Sequence, residues 1–168
     1  MKRTGIDKEE DIKMNLGLDF HDTISVDPLF FKHMMEGWPG NVYIVTGTPE
    51  SKREETAKQL EQIGILQGYH YDEMLMGFEY SKQGMTVDHF QKMKEHKLKL
   101  IQEYNIKVYF DDNPFYVDYL RNYGVTVFQT VLSDNYLDEF EEKDPFFSCN
   151  LQRGQFEYLK AGIKTQEA

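Results

Sequence analysis

The sequence predicts an α/β protein in which a parallel sheet is flanked by helices. Three observations carry that prediction. Short apolar runs closed by turn residues recur along the chain, and stretches with helical apolar spacing separate them. No disulfide framework, internal repeat or membrane-spanning apolar run points to another architecture. Runs of this kind suit strands buried on both faces, which is the usual state of a parallel sheet.

Taken in order, residues 1–13 are mostly charged or polar and read as a flexible lead-in. Asn15-Leu16-Gly17-Leu18 is a first strand running into Asp19. A return helix follows around Pro28–Glu36, with Phe30-Phe31-Lys32-His33-Met34-Met35 as an apolar helix face rather than a cofactor box. Asn41–Val45 is a β-branched and aromatic strand that stops at Thr46-Gly47-Thr48. Thr48 and Pro49 resemble an N-cap with proline at the first helical position, and Ser51 with Glu54 offers a capping-box alternative. Ala57, Leu60 and Ile63 share one face of that helix, and Gly64 is placed to end it. Met74-Leu75-Met76 is a weaker strand. A long helix over about 87–104 takes Thr86 as its cap and turns Met93, Leu98 and Ile101 inward.

Ile106–Phe110 repeats the strand pattern and stops at Asp111-Asp112-Asn113-Pro114. Pro114 opens another helix, with Val117 and Leu120 inward and Gly124 at its end, and Gly124–Phe128 is the last strand. Residues 132–168 read as a C-terminal helical extension that packs on the core or makes a dimer.

Composition bounds the function. The chain has 168 residues, a length that suits one domain over 1–168 with a sizeable core. Its net charge of -10 argues against coating nucleic acid or an anionic membrane, because both need local cationic surface. A lone cysteine, Cys149, excludes an internal disulfide and a cysteine-built zinc site. The first residues carry no apolar run of the kind a signal peptide needs, so the expectation is a soluble, cytoplasmic domain.

In a parallel sheet the ligand site lies outside the carboxyl ends of the strands. Asp19, Phe20, His21, Asp22 and Thr23 follow the first strand, Thr46, Gly47 and Thr48 the second, and Asp111, Asp112 and Asn113 the Ile106–Phe110 strand. Two of these clusters carry acids, a set that Mg²⁺ would suit. Any one of them alone also fits ordinary turn chemistry.

These residues resemble the motifs of the haloacid dehalogenase-like (HAD) phosphohydrolases. The first motif is matched by Leu18-Asp19-Phe20-His21-Asp22-Thr23 and the second by Val42-Tyr43-Ile44-Val45-Thr46-Gly47. The third is matched by His96-Lys97-Leu98-Lys99, and the fourth by Val108-Tyr109-Phe110-Asp111-Asp112-Asn113-Pro114. The resemblance covers about residues 14–130 and implies a Rossmann-like, HAD-like sheet. It also implies a Mg²⁺-dependent phosphomonoester hydrolase that works through an aspartyl-phosphate. Asp19 would be the nucleophile. Asp19, the His21 backbone carbonyl and an acid of the Asp111–Asp112 pair would bind Mg²⁺, while Thr46, Gly47 and Lys97 would bind the phosphoryl group.

Two departures matter. The family's second aspartate is His21 here, which would take over the acid/base role. A further acid four residues after the metal-binding aspartate is absent, because Tyr116 stands four after Asp112. Asp118, two residues on, reads as an exposed helix residue. The spans from Thr23 to Thr46 and from Thr46 to Lys97 leave no space for a large cap, although loops 67–71 and 77–80 could act as lids. The expected substrate is a small phosphorylated molecule, with a nucleotide or a nucleic-acid end as the leading choice, for a monomer or homodimer. The alternatives are a non-catalytic HAD-like binding protein, and a HAD-like transferase or non-phosphate hydrolase.

Overall fold

The computed structural model describes residues 14–79 and 87–131. Within them five strands form one parallel sheet: β1 (Asn15–Leu18), β2 (Val42–Pro49), β3 (Glu73–Gly77), β4 (Ile106–Asp111) and β5 (Thr126–Gln129). The order across the sheet is β3-β2-β1-β4-β5. Helices α1 (Pro28–Glu36), α2 (Arg53–Gln62), α3 (Val87–Glu103) and α4 (Pro114–Leu120) connect the strands. The fold class is therefore the α/β, Rossmann-like parallel sheet with flanking helices that the sequence predicts.

Each face of the sheet has its own core. Leu16, Leu18, Ile44 and Met74 face Phe31 and Met35 of α1 and Leu60 of α2. Val45, Leu75, Ile106 and Tyr109 face Met93, Leu98 and Ile101 of α3 and Phe115 and Leu120 of α4. This division follows from strand geometry, in which successive side chains point to opposite faces. The predicted inward residues Met93, Leu98, Ile101 and Leu120 are buried, whereas Val117 is half-buried and Phe115 and Tyr116 take the inner face of α4. Gly64 adopts φ +80 just beyond α2, a left-handed value that glycine reaches without a Cβ penalty.

The start of α2 differs from both sequence readings. β2 does not stop at Thr46 but runs on to Pro49, which is extended and registers against Gly77 of β3. A short 3₁₀ turn over Glu50–Lys52 then leads into α2, whose N-cap is Lys52 and makes no side-chain cap bond. The fixed φ of proline serves an extended strand end as well as a first helical turn, and strand pairing decides which it does. The proposed Thr86 cap, the 1–13 lead-in, Tyr80 of the second candidate lid and the 132–168 extension lie outside the described residues. Among the described residues no helix is long and apolar enough to cross a membrane.

Candidate functional site

The strand order reverses at β1, where β2 leaves to one side and β4 to the other, and ligand crevices of open parallel sheets form at that point. Asp19 leaves the end of β1, and its N–H donates to the Phe110 carbonyl of β4 (2.9 Å), which ties the two strand ends together. Asp111 is the last residue of β4, and Asp112 follows it. One carboxylate oxygen from each of Asp19, Asp111 and Asp112 lies within 4.8 Å of the other two.

Lys97, from the middle of α3, is 1 % exposed and reaches into this cluster. Its Nζ donates to Asp111 Oδ2 (2.7 Å) and to the Tyr109 hydroxyl (3.0 Å), and lies 3.5 Å from Asp19 Oδ1. The Tyr109 hydroxyl also donates to Asp111 Oδ2. The other oxygen of Asp111 accepts from the Asn113 backbone N–H (2.9 Å), so both are engaged. Asn113 in turn caps α4 by accepting from the Phe115 N–H (3.0 Å). Asp112 Oδ1 accepts from the Thr23 hydroxyl at 3.4 Å.

Burial dominates the electrostatics. It pushes the Asp19 carboxyl up to about 7, with Lys97 pulling down and Asp111 pushing up. Asp112 is raised well above the usual carboxylate range by burial, then by Asp111, Asp19 and Asp22. Burial opposes the charge on Lys97, yet the facing carboxylates of Asp111 and Asp19 outweigh it and hold the ammonium. With three acids facing one lysine, burial and mutual repulsion favour protons on Asp19 and Asp112 unless a further cation takes their place. A hard divalent cation with oxygen ligands is the group that such a donor set fits.

The segment after Asp19 does not continue the extended chain of β1. It turns tightly over Phe20–Ile24, with Asp22 at φ 58 and fully buried, and the Asp22 N–H donates to Ser25 Oγ (2.9 Å). His21 keeps an extended backbone within that turn. Burial draws its imidazole down to about 4, opposed by a hydrogen bond with Gln59 of α2, while Lys97 lowers it further.

A cavity of about 330 Å³ opens over the cluster. Asp19, His21, Thr46, Gly47, Lys97 and Asp112 all line it, so the fold gathers the expected residues of all four segments around one space. Asp111 lies behind this wall, fully buried. Thr46 is buried, with its Oγ1 accepting from the Thr48 N–H (3.1 Å) and donating to Thr48 Oγ1 (3.0 Å). Gln59, Phe90 and Tyr116 add wall residues that the sequence reading did not assign to the site. Tyr109 was missed as well. Its position inside an apolar strand pattern gave no sign of a polar partner. Loop 67–71 does not line the cavity, and Asp118 is an exposed partner of Arg121 (3.2 Å).

No family model matches the chain, and no curated protein matches it. Among solved structures it is similar to a glycosyltransferase from Rickettsia africae ESF-5, at 10 % identity over 79 % of this chain and with a TM-score of 0.43. The chain spans only 34 % of that protein's length. It is also similar to the core domain of a protein provisionally described as a phosphoglycolate phosphatase, from Streptococcus pneumoniae TIGR4. That match has 13 % identity over 79 % of this chain and 97 % of the other, with a TM-score of 0.45. Likenesses this distant carry nothing about chemistry, which has to be read from the side chains of the cavity.

Proposed function

We propose that this chain is a HAD-like, Mg²⁺-dependent phosphomonoester hydrolase whose nucleophile is Asp19. One observation supports this above the rest: Asp19 and Asp112 line one cavity around Lys97, with Asp111 locked behind them.

Each side chain has a distinct part in this reading. Asp111 has its oxygens committed to Lys97, Tyr109 and the Asn113 amide, so it anchors the lysine. Asp112 and Asp19 are then the acids that would hold Mg²⁺, together with the His21 carbonyl. Bound there, Mg²⁺ would supply charge screening between a carboxylate and a phosphate dianion. Lys97, Thr46 and the Gly47 backbone would hold the phosphoryl oxygens. Asp19 would attack phosphorus as the ester oxygen departs, giving an aspartyl-phosphate. The neutral imidazole of His21 would take the proton from the water that hydrolyses this intermediate. That imidazole becomes neutral in the first step, in which His21, entering as the imidazolium, would give its proton to the leaving oxygen; the proton from water then restores it.

The cavity volume suits a small phosphorylated molecule. A nucleotide or a nucleic-acid end is the leading choice, and the buried Phe90 and Tyr116 give the cavity an apolar side. A second reading, metal and phosphate binding without turnover, is favoured by the low pKa of His21, which leaves no ready acid. Hydrolysis of an aryl phosphate with and without Mg²⁺, in wild type and Asp19→Asn, decides between them. Mg²⁺-dependent turnover that the variant lacks is expected. Phosphate binding without turnover in wild type would establish the second reading.

A further inference from the structure

Among the described residues β5 is an edge strand, paired with β4 on one side. Its two faces are treated differently. Val127 packs into the core beneath α3 and α4, so Phe128 points to the opposite face, the one that α1 and α2 cover elsewhere. There Phe128 stacks on Phe110 of β4, with ring centroids 4.9 Å apart and planes at 17°. Phe110 meets Phe31 of α1 edge-on at 5.6 Å, and Phe31 meets Phe30 at 5.1 Å. The result is a continuous aromatic strip from α1 to the sheet edge. Phe31 itself is buried and Phe110 half-buried, while the two ends are open, with Phe30 54 % and Phe128 49 % exposed. Exposed apolar surface at those ends is where a covering segment would dock.

We propose that residues 132–168 of this same chain cover the strip. They are joined to it at Val131, so closing the contact needs no second molecule and little loop-closure entropy. They also carry matching apolar residues. Leu132, Tyr136 and Phe140 recur at four-residue spacing between acidic positions, and Phe156, Leu159 and Ile163 follow a second helical spacing. α4 already packs against β5 on the other face, which leaves the Phe128 side for the segment that follows. The residues just before the tether are bonded to the cluster of acids. The Thr130 N–H donates to the Asp111 carbonyl (3.1 Å), and Gln129 Nε2 donates to the Asp112 carbonyl (3.4 Å), one and two residues before the tether. This inference is independent of the reaction proposed above.

Hydrogen exchange read by mass spectrometry on the full chain tests it, at two protein concentrations and with Phe128→Asp and Phe30→Asp. Peptides from 132–168 should be protected in wild type equally at both concentrations. Each variant should speed their exchange about tenfold while β1 and β4 stay protected. Phe30 lies on the exposed side of α1, so its variant keeps the test valid if the edge strand does not tolerate an aspartate. Unprotected peptides in wild type, or protection unchanged in both variants, would overturn the proposal. Protection that grows with concentration would also overturn it and assign the strip to a second copy.

Discussion

Lys97 Nζ stands 2.7 Å from Asp111 Oδ2, and neither side chain reaches solvent. A buried pair of this kind is weak evidence for stability, because desolvation consumes much of the Coulombic gain. Its consequence is positional. Gly17 of β1 registers against Tyr109 of β4, and a Cβ at Gly17 would lie 3.0 Å from the Tyr109 ring. The bare glycine thus leaves room for the ring whose hydroxyl braces both members of the pair.

Removing the lysine should be costly. Lys97→Met is expected to lose about 3–5 kcal/mol, the usual penalty for stranding buried charge. The ammonium, with its pKa raised, contributes fully below the ordinary lysine value, so its own term is constant between pH 5 and 8. The Asp19 carboxyl, already raised to about 7 with Lys97 pulling it down, is more fully protonated at pH 5 than at pH 8, so the loss should be larger at pH 8. Urea unfolding of both proteins at the two pH values checks this. An equal loss at both would show that the acids are not electrostatically coupled to Lys97.

Asp19 has the opposite sign. Its folded pKa of about 7 exceeds the ordinary 3.8, so its contribution to stability is present below pH 3.8 and is lost as pH rises through 7. Asp19→Asn carries no charge at any of these pH values. The variant should gain on wild type between pH 5 and pH 8, by on the order of 2 kcal/mol in metal-free buffer. It should also be inactive. Melting temperatures across that range test the first statement, and a gap independent of pH would refute it.

Magnesium should stabilise the folded chain by mass action. The melting temperature of wild type should rise with Mg²⁺, and Asp112→Ala should abolish most of that rise. Asp111→Asn should lower stability without Mg²⁺ as well, because it loosens Lys97 and Tyr109. A Mg²⁺ response that survives in Asp112→Ala would place the cation elsewhere.

His21→Ala should expose the order of events. With an aryl phosphate the leaving group needs no proton, so the first step should proceed while hydrolysis of the intermediate slows by about 10²–10⁴-fold. The result would be a burst of phenolate close to the enzyme concentration, followed by a slow phase. With an alkyl phosphate both steps need the imidazole, and no burst should appear. Stopped-flow traces on both substrates distinguish these, and an aryl reaction that slows with no burst would remove the base role from His21.

Much of this protein was legible in the order of its residues. Apolar runs of four to eight residues stand out locally, so β1, β4 and the helices α1 and α3 fall where their periodicity places them. The polar residues that close the first, second and fourth strands announce a site at one sheet edge, because a parallel sheet brings its carboxyl ends together. What the sequence could not determine depends on contacts between distant segments. Whether Pro49 starts a helix or ends a strand was decided by its pairing with Gly77. Asp22 was turned inward by the tight loop after Asp19. The different settings of Asp111 and Asp112, identical neighbours in the chain, were decided by Lys97 and Tyr109 filling the space behind one of them. Local spacing can place two carboxylates side by side, but only packing can leave one facing a cavity and bury its neighbour against a cation.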